Sequence, residues 1–369
     1  MSEAGSSIIS KHAHVRGCLS EAILRKEFKP GQRLPGERVL ANRFSVSPMT
    51  ARRVLSEMET AGILDRRSRD GTYVSEEATI FLSKTSLRLI CSAYESPQAT
   101  TFINLGSLAA QKHGWQPHVV RISPGRHNGA VNAIVSGNPC LAWLDSVGLH
   151  GSVGQALQHP DSMTAIIGNR LDSLGTPSVM ADDALGIHMA IDHLRKAGHE
   201  RIGLIANTGE GVAEHTQIAA WRSCFVDVDD DLLGRWLILV KTPRCKCPSH
   251  YAYEELGRYF KSGRADVTAF ISLGDEQTAG VLAACYDNGY PIPEKMSLIC
   301  YGESSITRFA RPSITCIDPD LQGHIDQAIE LLECKMKGES SPNNCFRLIQ
   351  PLLLDRKSVG PPDLNRSGG

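Results

Sequence analysis

From Leu87 to about Val359 the chain alternates short apolar runs with amphipathic stretches of helical period. This alternation limits the fold more than any other feature. "LRLICSAY" precedes "TTFINLGSLAAQKHGW", and "QPHVVRIS", "CLAWLDS" and "TAIIGNR" follow. Then come "GIHMAIDHLRKAGH", "RIGLIAN", "VTAFISLGD", "EQTAGVLAACYDNGY" and "MSLICYGES". Strands alternating with helices of about 10–15 residues imply βαβ units and a mostly parallel sheet. The span exceeds what one small open sheet needs, so an α/β region of two doubly wound lobes is expected over 87–359. Residues 360–369, ending in "PPDLNRSGG", read as a disordered tail.

The N-terminal part, 1–78, differs in kind. Between Ile8 and Ser75 there are 13 Lys+Arg against 7 Asp+Glu, although the whole chain carries a formal charge of −1. Such asymmetry between segments points to nucleic-acid contact at one end. Within "SVSPMTARRVLSEMETAG", Ser47 can cap a helix and Pro48 suits its first position. Ala51, Val54, Leu55 and Met58 then form one apolar stripe. Met49, Arg53 and Ser56 lie opposite it, with Thr50 and Arg52 on its flanks. A helix's first turn ordinarily prefers carboxylates, so this cationic start implies a negative partner outside the chain. Upstream, "GERVLANRF" places Val39, Leu40 and Phe44 at helical spacing, and only "SVS" separates the two helices. Two helices joined so tightly make a helix-turn-helix. Downstream, "GILDRRSRDGTYVS" reads as a hairpin turning at Asp70-Gly71, with Arg66, Arg67 and Arg69 at its tip. Residues 79–86, "TIFLSKTS", read as a linker.

Several classes of function find little support. No apolar run approaches the roughly 18–20 residues of a membrane span. The N-terminal stretch has no apolar core of a secretion signal. The 11 cysteines are scattered, several within apolar runs, which suits a reducing cytoplasm better than a disulfide framework. Cys245, Cys247 and His250 lack the second ligand pair of a structural zinc site. No nucleophile elbow, zincin pair or P-loop occurs, so no catalytic residue, metal or cofactor is assigned.

The stretch "LPGERVLANRFSVSPMTARRVLSEMETAGILDRRSRDGTYV" resembles the winged-helix domain of the GntR family of bacterial regulators. The resemblance implies DNA contact through Arg38, Ser47, Thr50, Arg52 and the wing at Gly71. Met49, Arg53 and Arg69 join them from the helix face and hairpin tip read above. Gly36 stands where the family usually has a serine cap, and Pro48 where an arginine reader is common.

"VMADDALGIHMAIDHLRKAGHERIGLIAN", "TAFISLGDEQTAGVLAACYDNGYPIPEKMSLICYGES" and "PSITCIDPDLQGHIDQAIELLECKMKGE" resemble the effector domain of the LacI/GalR regulators, with its periplasmic-binding-protein-like fold. That resemblance implies one small molecule, a sugar or derivative, in the cleft between lobes. It places Asn169 where a sugar-binding aspartate is usual, and Asp275 beside Gly274 where an asparagine-aspartate pair is usual. Trp221, followed by Arg222, stands at the spacing of an arginine, and Gly302-Glu303 replaces two aspartates. Tyr94 and Trp221 offer faces for stacking on a pyranose or, alternatively, for the core; Asp275 is a ligand contact or a helix cap. The expected protein is a cytoplasmic, homodimeric, ligand-responsive regulator, a repressor of a carbohydrate-utilisation operon, bound to double-stranded operator DNA. The alternative is a winged-helix head fused to a catalytic α/β domain.

Overall fold

The computed structural model describes residues 11–67, 70–82, 86–94, 96–123, 127–144, 151–159, 162–207, 216–243, 246–263, 266–339 and 344–363. The head begins with α1 (Lys11–Leu24), α2 (Glu37–Arg43) and α3 (Pro48–Thr60). At the start of α3, extended Ser47 accepts a hydrogen bond from the Thr50 amide at 3.1 Å. Pro48 follows where its missing N–H costs nothing. Ala51, Val54, Leu55 and Met58 are all buried. In α2 the buried residues are Leu40 and Ala41, whereas Val39 is 58% exposed. The expected stripe is therefore rotated, because a helix of two turns buries only the side that meets α3. Ser45 makes the intervening turn with φ 51°.

The wing is the antiparallel pair β1 (Leu64–Arg67) and β2 (Gly71–Val74), in register from Leu64 opposite Val74 to Arg67 opposite Gly71. The segment before α2 adds a third strand-like edge. Arg33 pairs with Tyr73, the Leu34 amide bonds to the Thr72 carbonyl at 2.8 Å, and the Val74 amide bonds to Gln32 at 2.9 Å. The expected linker opens as a helix, α4 (Ala78–Leu82), and the first lobe strand starts at Ser86. Leu82 lies against one apolar cluster that runs from Val54 and Met58 of the head to Val120 and Ile134 of the first lobe. The head is thus packed on that lobe rather than tethered to it.

The first lobe holds β3 (Ser86–Ser92), α5 (Pro97–Lys112), β4 (Gln116–Ile122), α6 (Asn128–Val135), β5 (Cys140–Trp143), α7 (Ser152–Leu157), β6 (Thr164–Ile167) and β7 (Ser178–Ala181). The chain then enters the second lobe through α8 (Asp183–Lys196), β8 (Ile202–Asn207), α9 (Thr216–Ser223), α10 (Asp230–Trp236), β9 (Leu237–Val240), α11 (Pro248–Lys261), β10 (Ala269–Leu273), α12 (Asp275–Asp287), β11 (Ser297–Tyr301), α13 (Ser305–Phe309) and β12 (Thr315–Asp318). It returns to the first lobe with α14 (Leu321–Met336) and β13 (Phe346–Ile349), and crosses back for β14 (Leu352–Leu354).

The sheet orders are β13-β7-β6-β5-β3-β4 and β14-β12-β11-β10-β8-β9. All strand pairs in them are parallel except β12 with β14. Strands buried on both faces, such as β6 and β11, need continuous apolar runs. Three crossings, after β7, after β12 and between β13 and β14, form the hinge. There the Asp182 amide bonds to the Ile349 carbonyl at 2.8 Å, and Asp320 caps α14 from a left-handed conformation.

The tail departs from expectation at its start. The Gly360 carbonyl accepts from the Ser297 hydroxyl at 3.1 Å and lies 2.8 Å from His199 Nε2. Residues 364–369 lie outside the described residues. His199 is buried, and its other ring nitrogen meets Thr268 Oγ1 at 2.8 Å. Burial holds its imidazole below the ordinary pKa; the same cause acts on His118 and His324. An unfolded histidine takes up a proton below about pH 6.5, which these sites resist. Their contribution is therefore complete above that pH and lost as pH falls through and below it. Melting followed by circular dichroism should show the midpoint falling from pH 7 to pH 5, as each site withdraws up to about 1.4 kcal/mol of stability per pH unit.

Candidate functional site

Two candidate sites stand out, one on the head and one between the lobes. The head presents the start of α3 and the wing. Met49 is 74% exposed, and Arg38, Arg52 and Arg53 are exposed with it. The Ser47 and Thr50 hydroxyls are 2.8 Å apart, so each is oriented by the other. Arg53 pairs with Glu57 at 3.1 Å along the helix. Glu37 joins three elements: Arg52 of α3 donates to it at 2.9 Å and Arg66 of the wing at 3.3 Å. Arg67 lies over the Tyr73 ring at 4.1 Å. Gly71 opens β2 with φ +124°, a conformation that side-chain-bearing residues rarely adopt. Arg69, expected at the tip, lies outside the described residues.

The second site is the cleft between lobes. Ligands of doubly wound sheets bind beyond the carboxyl ends of strands, where strand order reverses. Those points are β3/β5 in one lobe and β8/β10 in the other. Tyr94 follows β3, and Asp275 and Glu276 follow β10. The Tyr94 hydroxyl donates to Glu276 Oε1 at 2.9 Å, bridging the lobes. Burial, then this hydrogen bond, push the Tyr94 phenol up. Burial also raises the Glu276 carboxyl, outweighing the bond from Tyr94. Asp275 is 3% exposed, and its Oδ2 is buried with no hydrogen-bond partner among the described residues. Gln98 of α5 reaches to the backbone of Gly302 from the other lobe. Asn169 follows β6, half-buried, and its Nδ2 donates to the Leu144 carbonyl at 2.6 Å.

Comparison with known proteins resolves the chain into two parts. The model of the bacterial regulatory proteins of the gntR family matches residues 11–74. The model of the periplasmic binding protein-like domain matches residues 191–359. The chain joins a gntR-family head to a periplasmic-binding-protein-like domain. The transcriptional regulator GalR of Salmonella typhimurium is 26% identical over 208 residues, 53% of this chain and 56% of its own length. The chain thus spans about half the length of that relative. The arabinose metabolism transcriptional repressor of Geobacillus stearothermophilus is 24% identical over 366 residues, 95% of this chain and 98% of its own. A LacI family regulator from Arthrobacter sp. FB24, solved in complex with lactose, superposes with a TM-score of 0.62 at 19% identity. It covers 74% of this chain and 99% of that one, and speaks for the fold of the lobes.

Set in this periplasmic-binding-protein-like domain, two expected cleft residues fall elsewhere. Trp221 is fully buried, donates its indole N–H to the Ile202 carbonyl at 3.1 Å and packs on Phe225 at 5.5 Å. Its apolar face belongs to the second-lobe core, so it cannot stack on a sugar. Glu303 is held by Arg308 and Arg356, each at 2.8 Å. Burial alone would raise its carboxyl, but these two guanidinium groups hold it below the usual range. Its oxygens serve an internal ion cluster. Arg222 is exposed on α9 beside Trp221. Asp275 is the first residue of α12, and the cap position is Gly274, so the helix-cap alternative fails.

Sequence reasoning missed Glu276, Gln98, Glu37 and Arg33. Tyr94 lies 182 residues from Glu276, Gly302 lies farther still from Gln98, and no local spacing reveals such pairs. In the gntR-family head, Glu37 positions Arg52 and Arg66. Its exposed pairs add about 0–1 kcal/mol to stability, so Glu37→Ala should fold normally. It releases two cations, so affinity for random duplex should rise. Preference for a selected duplex should fall about tenfold as Arg52 loses its orientation. Fluorescence anisotropy on both duplexes reads the ratio; an unchanged ratio contradicts this role.

Proposed function

We propose that the protein is a DNA-binding transcription regulator, a repressor of a carbohydrate-utilisation operon, whose effector is a sugar or derivative bound between the lobes. The observation that carries the reading is one chain with a cationic helix-turn-helix and wing at one end and an interlobe cleft at the other. In that cleft Asp275 holds a buried carboxylate oxygen without a partner. A ligand hydroxyl would satisfy that oxygen, since an unmet buried acceptor costs about 1–3 kcal/mol. The printed role of the arabinose metabolism repressor, similar over 95% of this chain, favours the same class of effector.

In this reading the protein acts in the cytoplasm, where its DNA is. No helix among the described residues is long and apolar enough to cross a membrane. Two copies place two heads on half-sites about 34–36 Å apart or a multiple of that. A sugar contacting Tyr94 and Asn169 from one lobe and Asp275 and Glu276 from the other favours one lobe arrangement over another. It shifts the equilibrium only by its differential affinity for the two. Because the head packs on the first lobe, a lobe rotation changes the spacing of the paired heads. Selection of bound duplexes from a random pool, followed by footprinting, tests the DNA half. Paired protected half-sites are expected, and failure to enrich any sequence contradicts it.

A further inference from the structure

Arg33 stands outside the helices of the head, yet the fold fixes it at the junction of reader and wing. Its backbone pairs with Tyr73, and the adjacent Leu34 amide bonds to Thr72 at 2.8 Å. Its side chain crosses the first residue of β2. A Cβ on Gly71 would lie 2.8 Å from Arg33 Nε and 3.2 Å from Nη2. The missing side chain of Gly71 therefore makes the path that the guanidinium follows. Arg33, Arg66, Glu37 and Leu55 share an open groove of about 720 Å³ between α3 and the wing.

The described arginines of α3 and the wing are already engaged. Arg66 meets Glu37 and Glu59, Arg52 meets Glu37, and Arg53 meets Glu57. Arg67 lies over Tyr73. Arg33 is exposed and has no ion pair among the described residues. A rigidly placed arginine fork without a carboxylate matches the geometry of a phosphate. We propose that Arg33 holds a backbone phosphate of the bound duplex between the stretch read by α3 and the stretch beneath the wing. The assignment rests on the DNA-binding reading above and adds a contact made to backbone rather than to bases.

Phosphate contacts carry no sequence information, which separates this role from that of Arg52. Full-length wild type, Arg33→Ala, Arg33→Lys and Gly71→Ala are to be titrated with two probes. One is a duplex selected from a random pool by the wild type, and the other is a random duplex of equal length. Arg33→Ala should weaken both about tenfold and make the slope of log K against log salt shallower by about 0.9. The ratio between the probes should stay unchanged. Arg33→Lys should keep the slope. Gly71→Ala should flatten it with the arginine still present, because the new methyl group displaces the guanidinium. An Arg33→Ala protein with wild-type affinity and slope overturns the assignment, as does a loss confined to the selected duplex. A wild type that binds neither probe overturns the DNA-binding reading itself.

Discussion

Asp275→Ala should abolish the response to effector while leaving operator affinity unchanged. Asp275 lies at the carboxyl end of β10, 3% exposed, with Oδ2 meeting no partner among the described residues. A carboxylate there accepts hydroxyl donors through charge-assisted bonds, each worth about 1.5–3 kcal/mol. Its loss should weaken effector binding by roughly tenfold to 150-fold. The head is untouched, so anisotropy on operator duplex without ligand should match the wild type. Stability supplies an independent sign. Removing an unmet buried acceptor relieves a cost of about 1–3 kcal/mol. Losing a carboxylate from the first turn of α12 forfeits about 0.3–1 kcal/mol of helix-dipole stabilisation. The ligand-free variant should therefore melt no lower than the wild type, yet show no shift with a sugar that stabilises the wild type. A purely structural Asp275 would give the reverse pattern, a lowered midpoint with an intact shift.

Gly280→Ala should cost more stability than a single methyl group suggests. In α12 a Cβ at this position would lie 1.9 Å from the Ser249 backbone carbonyl of α11. Alanine is ordinarily the better helix former by about 1 kcal/mol, but no side-chain rotation relieves a clash with backbone. Overpacking costs about 1–3 kcal/mol and occasionally more. The two helices must part, with a net loss of about 2 kcal/mol or more and a fall in Tm of about 3 °C or more. Gly257 of α11 is the control: nothing lies within 4 Å of its ideal Cβ. Gly257→Ala should be neutral or stabilising by about 0.5–1 kcal/mol. The consequence reaches the cleft, because this contact seats Ser249 against the Glu276 carbonyl at 2.5 Å and Cys247 near its carboxylate at 3.7 Å. Parting the helices should weaken effector binding as well. Equal melting of the two alanine variants would show that the close approach is not maintained in solution.

The sequence carried the fold further than the site. The α3 stripe was legible because thirteen residues show its period through several turns, and the Ser-Pro start reinforced it. In the seven-residue α2 the same reasoning chose Val39 where the structure buries Ala41. Two turns do not reveal which side faces a neighbour. Strand–helix alternation exposed both lobes, because strands buried on both faces read as near-continuous apolar runs. Trp221 was misplaced by alignment to a relative's arginine, although Ile218 and Phe225 bury beside it in the same core. Asp275 was visible by resemblance, but its partner residue Glu276 was not. The Tyr94–Glu276 contact closes only when two lobes meet across 182 residues. Glu37 was hidden likewise, its arginines lying 15 and 29 residues away.

The central claim is that one molecule couples a sugar in the cleft to the grip of the head on DNA. The most direct measurement is anisotropy of a labelled, selected duplex held by the full-length protein while a panel of neutral mono- and disaccharides is titrated in. The account predicts that at least one sugar releases the duplex, and that the same sugar raises the melting midpoint of the wild type but not of Asp275→Ala. A duplex that stays bound with unchanged affinity under every sugar, including any that stabilises the protein, would contradict it.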